Sequence, residues 1–412
     1  LVPGQRQIDR WAIRRIAREL QWPDDDIIQQ IGVGGIETRS ECELTTVLSW
    51  HHRGVERHIG VAEGVIAEDI AEQWVLGPYA WLPMVPVRVL PRNVVMQPRT
   101  RLKADGSIEH YDKPRISQDS SDGAEASVNG GVPGSESQIE LPTVQQFGRG
   151  IAIIDEAGTP DGDTRGRAVR AEAYCIDATS AFRFCPLQRA DWWTQCFVWW
   201  APAEGSRAPV VGIYIDTRMA FGGAYSPNRF ERISRMLGAA IQRDQAEFDA
   251  TTPLPECAVR WRCEREQQQR AAQLPAGAAQ LAPRYLQVFI DDWAGAALND
   301  EVRIPPELAH IVIAPEATAA VGGTPSAPNS RVRVHAMIAI RRLLSAKLEA
   351  AASKTLLGDP VVALGIRVSR ERRRLDIPTG KVAAMLDDIA AAWREIEEEP
   401  PRVDVQRALR IT

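Results

Sequence analysis

The chain has 412 residues, 44% of them hydrophobic and 25% charged, with a formal net charge of −5. That length exceeds one small core and suits two or three subdomains, and the apolar fraction is enough to bury them. No run approaches the roughly twenty apolar residues of a membrane span, and the opening "LVPGQRQIDRW" lacks a signal-peptide apolar core. The expectation is an intracellular protein of cytoplasm or nucleus, not secreted and without a membrane partner. Leu1 stands where an initiator Met would, so the sequence reads as a fragment of something longer. Cys42, Cys175, Cys185, Cys196, Cys257 and Cys263 form no CxxC pair, which fits reduced thiols packed as small apolar groups better than disulfides or a zinc ribbon.

In chain order, "RWAIRRIAREL" and "GVIAEDIAEQWV" carry apolar residues at helical spacing, so the first ninety or so residues are predicted mostly helical. His51, His52 and His58, with Cys42 nearby, match no standard zinc spacing, and helix packing accounts for them better. "VLPRNVVMQPRTRLKADGSIEHYDKPRISQDSS" alternates β-branched and polar residues around "ADG", predicting strand, hairpin and strand, then a Ser/Gly-rich loop from Ser117 to Ser137. "AEAYCIDATSAF" reads as a buried strand ending at Asp177, and "VVGIYIDTRMAF" as another. Trp192, Trp193, Trp199 and Trp200 lie beside apolar strands and read as core rather than as base-stacking platforms. Ser226 and Pro227 are expected as N-cap and first residue of a helix bearing Phe230, Ile233, Leu237 and Ile241.

"QQQRAAQLPAGAAQLAP" and "APEATAAVGGTPSAPNS" read as loops or insertions on either side of "YLQVFIDDWAG". An amphipathic helix is predicted next, with Val334, Met337, Ile338, Leu344 and Leu348 on one face, then a strand pair in "PVVALGIRVSRERRRLDIP", then a helix through Val382 to Ile396. The last third reads as a small α+β module. From Arg331 to Lys381 there are twelve Lys or Arg against four acids, a local net of +8. That segment can dock a phosphate backbone, or it can be a solvated helix face with a charged hairpin, and taken alone it favours neither.

Adjacent aspartates, Asp291 and Asp292, follow the apolar run "YLQVFI". In an uninterrupted strand one of them would face the core, at a cost that disappears if the chain turns at the pair and a cation holds both. If the strand ending at Asp177 is a neighbour in the same sheet, three carboxylates converge. Such a trio can hold two divalent ions of the kind that serve in-line phosphoryl transfer in polymerases and nucleases.

These residues resemble the reverse transcriptases. "CIDATSAF" is similar to their first catalytic motif, an Asp with an aromatic five residues on, and "FIDD" to their Y-x-D-D motif, with Phe289 for Tyr. "KPRISQDSSDGAEASVNGGV", "FGGAYSPNRF" and "VVALGIRVSRERRRLDIPTGK" resemble, in the family's order, the fingers, template-grip and primer-grip motifs. The F-G-x-x-x-x-P-x-x-F form resembles that of DIRS-like retrotransposons, which integrate by a tyrosine recombinase. The likeness covers residues 65 to 382 or so.

The resemblance implies an α+β right-hand fold of fingers, palm and thumb, its antiparallel palm sheet backed by helices, with a helical N-terminal extension. Its divisions would be 1–64 (extension), 65–171 (fingers, insertion near 148–171), 172–313 (palm, insertion near 242–283) and 331–412 (palm end, primer grip and thumb). It implies catalytic and metal-binding roles for Asp177, Asp291 and Asp292, with two Mg²⁺ or Mn²⁺ ions, and a dNTP site of Arg115, Lys103, Phe182, Ala178 and Gly222. Phe182 would be the aromatic gate that excludes a 2′-hydroxyl. Phe289, Phe221, Pro227, Leu364 and Gly365 would grip primer and template, and Lys354 would protonate or neutralise pyrophosphate. Implied partners are RNA and DNA template–primer, dNTPs, and the RNase H and tyrosine recombinase domains of a parent element.

Ser180 departs from the family, standing where some members carry another Asp, as do the two long insertions. A catalytically decayed or domesticated copy that binds nucleic acid is the competing expectation. An RNA-templated RNA polymerase fits less well, because Phe182 fills the sugar gate and "FIDD" replaces G-D-D.

Overall fold

The computed structural model describes residues 6–102, 108–158, 168–201, 210–273, 282–320, 322–351, 354–363, 366–370 and 374–376. Among them the chain is α+β. Its helices are α1 (Arg10–Leu20), α2 (Asp25–Gln29), α3 (Arg53–Arg57), α4 (Ile59–Ala71), α5 (Gly134–Ser137), α6 (Val144–Asp155), α7 (Tyr225–Thr251), α8 (Glu256–Ala271), α9 (Pro315–Ala320) and α10 (Arg331–Ser345). The strands are β1 (Val47–Leu48), β2 (Val75–Tyr79), β3 (Arg88–Val89), β4 (Arg92–Leu102), β5 (Ile108–Gln118), β6 (Ala171–Asp177), β7 (Cys196–Ala201) and β8 (Val210–Asp216), then β9 (Arg284–Phe289), β10 (Asp292–Leu298), β11 (Thr324–Pro325), β12 (Leu356–Asp359), β13 (Val361–Ala363), β14 (Ile366–Ser369) and β15 (Arg374–Asp376).

The sheet that carries the acids runs β11-β12-β6-β10-β9, every pairing antiparallel. Strand periodicity divides its side chains between two cores. Tyr174 and Ile176 of β6, with Trp293 and Ala297 of β10, join the cluster built from α1, α7 and α10. Ala173 and Cys175, with Ala294, Ala296 and Leu298, join the cluster containing Phe147, Ile151 and Ile154 of α6. A sheet buried on both faces explains why "AEAYCI" and "WAGAAL" read as continuous apolar runs.

A second sheet, β1-β3-β7-β8-β2, takes strands from both halves of the sequence division. β7 and β8, assigned above to the palm segment, pair with β3 and β2 of the preceding segments. The long β4–β5 hairpin stands as predicted, in register from Arg92↔Gln118 to Leu102↔Ile108.

Several expectations need correction. The start of the described chain packs into the main core: Ile8, Ile13 and Ile16 are buried in the same cluster as α7, and the Ile8 N–H donates to the Phe184 carbonyl at 2.8 Å. Their apolar stripe finds its partner on α7. The run "QQQRA" is the end of α8, not a loop, because Ala258, Trp261 and Gln269 give that helix a buried side. Residues 315–320 are likewise helical. Helix α7 begins at Tyr225, so Ser226 and Pro227 lie inside its first turn, where the Ser226 hydroxyl donates to the Ala220 carbonyl instead of capping the helix. On α10, Leu343 is buried and Leu344 is exposed, one position off the predicted face.

Candidate active site

Strand β6 ends at Asp177 and β10 starts at Asp292, and the two are register partners. Residues directly opposite on an antiparallel pair point to the same face, about 5 Å apart at Cβ. Phe289 pairs with Asp292 on the other side, leaving a two-residue turn of Ile290 and Asp291. The chain therefore turns at the aspartate pair, as the cost of burying one of them required. Ile290 takes φ 46°, a left-handed conformation that a β-branched residue adopts only under strain. The Asp291 carbonyl accepts the Ala178 N–H at 3.0 Å, and the Asp177 carbonyl accepts the Ala351 N–H at 2.8 Å, so backbone bonds fix both turns.

Burial raises the Asp292 carboxyl to about 8, reinforced by the charges of Asp291 and Asp177. Asp291 is raised as well, by burial first and Asp177 second, with Lys354 and Arg115 partly offsetting it. The Lys354 ammonium donates to Asp177 Oδ2. The buried Cys175 thiol beneath the cluster is pushed well up by burial and by the same carboxylates.

These hard oxygen donors suit Mg²⁺ or Mn²⁺, and a bound cation would relieve the repulsion that holds Asp291 and Asp292 high. Lys354 is the cation that the chain itself places there. Among the described residues no three His, Cys, Asp or Glu side chains form a metal-holding group. A cation here would thus draw further ligands from phosphate and water, as Mg²⁺ commonly does.

The expected nucleotide residues form a second line. The Arg115 guanidinium lies over the Phe221 ring at 5.5 Å, and Phe221 meets Phe182 at 5.6 Å between centroids. Phe182 also packs edge-on against Phe230. Phe221 is half exposed, and the buried Nε of Arg115 has no hydrogen-bond partner, so a guanidinium with one unpartnered donor borders an open aromatic. Gly222 has φ +111°, and a Cβ there would stand 2.1 Å from the Gln118 carbonyl oxygen. In this structure the close approach that requires glycine is thus to Gln118. Sequence reasoning missed Asn129, whose amide donates to the Gly222 carbonyl at 2.8 Å and accepts the Ala224 N–H at 2.8 Å, holding the loop. The signal was present in the "VN" of the fingers motif.

Other expected residues fall elsewhere. Phe289 is 1% exposed and packed in the α6-side core. Pro227 is half-buried in α7. Ala178 is buried beside the acids. Lys103, Leu364 and Gly365 lie outside the described residues, as does the helix expected through Val382 to Ile396. Within the basic segment, Arg331 is wholly buried between Asp249 and Asp300 and Arg342 pairs with Asp244, while Arg341 and Lys347 are exposed. His51 is buried and bonded to the Val198 carbonyl, which fits packing rather than zinc.

No family model matches the sequence, and comparison with curated proteins finds no match. Among solved structures, the chain is similar to the foamy viral protease-reverse transcriptase dRH in complex with double-stranded DNA, at TM-score 0.40 and 12% identity over 90% of this chain and 48% of that one. It is similar also to the native prototype foamy virus protease-reverse transcriptase, at TM-score 0.36 and 14% identity over 83% and 29%. The RNA/DNA hybrid complex of the foamy viral enzyme gives TM-score 0.35 and 14% identity over 89% and 34%. The chain spans less than half the length of each. At such values the likeness is distant, and the functional reading stands on the site. Among the described residues no helix is long and apolar enough to cross a membrane.

Proposed function

We propose that the chain is the polymerase part of a retroelement reverse transcriptase, an RNA-directed DNA polymerase that joins dNTPs to a primer 3′-hydroxyl on an RNA or DNA template. The register that sets Asp177 opposite Asp292, with Asp291 in the turn between, is the observation that supports it most. In this reading the five-stranded sheet is the palm, the β4–β5 hairpin belongs to the fingers, and β13 to β15 lead to the thumb. Two Mg²⁺ or Mn²⁺ ions, when bound, sharpen the 3′-hydroxyl and neutralise departing pyrophosphate.

Asp177 and Asp291 would hold the ions, and Asp292 would complete the acidic cluster. Arg115, its guanidinium over the Phe221 ring, brings a planar fork to the triphosphate. Phe182, braced by Phe221 and Phe230, closes the space a ribose 2′-hydroxyl would need. Lys354 exchanges Asp177 for the pyrophosphate, which it protonates or neutralises. Template–primer is held through phosphates and A-form shape, without regard to sequence. The DIRS-like grouping rests on "FGGAYSPNRF" and the "AEDIAEQWVLGP" upstream of it, and RNase H and recombinase domains belong to the parent element in that reading.

Two observations favour a second reading, a decayed or domesticated copy that binds template–primer without synthesis. Lys354 already satisfies Asp177, and no three-ligand metal group is found among the described residues. Primer extension on an RNA template with dNTPs and Mg²⁺, beside Asp291→Asn, separates the two. Metal-dependent extension that the variant lacks supports the polymerase; tight duplex binding with no extension in either protein supports the binder.

A further inference from the structure

We propose that Asp216, acting through Arg183 and Arg92, is a positioning residue that fixes the Phe182–Phe221–Arg115 line and so sets nucleotide selection. For its substrate class the proposal rests on the polymerase reading; for its geometry it does not. Asp216 is 1% exposed at the end of β8. Its Oδ1 accepts from Arg183 Nη1 at 2.7 Å and from the Arg218 N–H at 3.1 Å, while its Oδ2 accepts from Arg92 Nη2 at 2.7 Å. Arg183 Nη2 continues to Asp69 Oδ2 at 2.8 Å, on α4.

One carboxylate thereby grips every segment that carries the line. Arg183 adjoins Phe182 in the 3-10 turn Ala181–Phe184. Arg92 opens β4, which is paired through to Arg115 by the register Val95↔Arg115. Arg218 leads to Phe221, whose carbonyl accepts the N–H of Gln118, the register partner of Arg92. Five charged side chains, Arg92, Arg183 and Arg218 with Asp69 and Asp216, meet here with little exposure, where apolar residues of the same volume would be as stable. Directional bonds give what apolar packing does not, a fixed orientation for each segment. The ion pairs of these side chains run among themselves rather than to Asp177, Asp291 or Asp292, which assigns them to positioning and not to chemistry.

The test replaces phenylalanine with 4-fluorophenylalanine throughout, assigns the ring signals by single Phe→Leu variants, and compares Arg183→Lys with the parent by ¹⁹F NMR. Lysine keeps the charge and loses the two-pronged grip. The Phe182 and Phe221 signals are expected to move or broaden while those of Phe147 and Phe289, in the other core, stay. Unchanged Phe182 and Phe221 signals in a folded variant overturn the proposal. Should Arg183→Lys not fold, Asp69→Asn loosens only the outer end of the network and is read the same way. In steady-state extension, Arg183→Lys is expected to raise KM for dNTP and lower discrimination against rNTP by about tenfold, with kcat within about twofold. Moved signals with unchanged discrimination overturn the selection role. The NMR arm needs no turnover, so an inactive parent would count against the polymerase reading alone.

Discussion

Asp177 and Asp292 face one another across the β6–β10 ladder, on the same side of the sheet. Like charges directly opposite are unfavourable, and burial of Asp292 beside Asp291 and Asp177 lifts its carboxyl to about 8. A folded-state value above the unfolded one means that the folded chain holds this proton more tightly, so the group costs stability as pH rises from about 4 through about 8. Asp292→Asn should therefore be more stable than the parent in metal-free buffer at pH 8, by about 1–3 kcal/mol, and equal to it near pH 4. The same variant should lose nucleotide incorporation. Melting curves across that pH range decide the first point, and a parent as stable as the variant at pH 8 would refute it.

Phe182 contacts Phe221 and Phe230 without being fully buried, so truncating it opens space at the cleft more than it empties the core. Phe182→Ala should admit ribonucleotides, raising their incorporation relative to dNTPs by about tenfold or more. Single-nucleotide extension with matched dNTP and rNTP measures the ratio. An unchanged ratio would remove Phe182 from the gate.

The strands bearing Asp177 and Asp292, and the turn at the aspartate pair, were legible because apolar runs ending in acids carry their own physical reason for stopping. Helix α1 was legible from its apolar stripe, and the structure adds the Asp9 side chain capping it through the Trp11 and Ala12 N–H groups. What the sequence hid were pairings between distant segments. Nothing local in "VVGIYID" says that β8 joins β2 rather than the acidic sheet, and nothing in "RWAIRRIAREL" says that its apolar face docks on α7. Buried charge was hidden in the same way: the basic segment left two readings open, and only Asp249 and Asp300, from elsewhere in the chain, show Arg331 to be buried and paired. Phe289 sits beside the turn in the motif, yet it packs into the α6-side core.

Two glycines should respond oppositely to alanine. At Gly222, φ +111° and a Cβ 2.1 Å from a backbone oxygen leave no room, so Gly222→Ala should cost about 1–3 kcal/mol and, by shifting Phe221, raise KM for dNTP. At Gly64, inside α4, a Cβ meets nothing within 4 Å, so Gly64→Ala should stabilise by about 0.5–1 kcal/mol. Urea unfolding of both variants provides the comparison. A neutral Gly222→Ala would show that the loop relaxes.

His51 ties the second sheet to the start of the hairpin: one ring nitrogen donates to the Val198 carbonyl at 2.7 Å and the other accepts the Arg92 N–H at 3.2 Å. Both bonds need the neutral ring, and burial lowers its pKa to about 4, the Val198 bond opposing in part. The unfolded chain takes up this proton near pH 6.5 and the folded chain only near 4, so the contribution is whole above about 6.5 and is lost as pH falls between the two. The loss should reach about 3 kcal/mol for the fully buried ring. His51→Gln cannot titrate, so its stability should fall less steeply from pH 6.5 to 4 than the parent's, though it starts lower at pH 7.5. Urea midpoints at four pH values measure both slopes, and equal slopes would show that some other group carries the acid sensitivity.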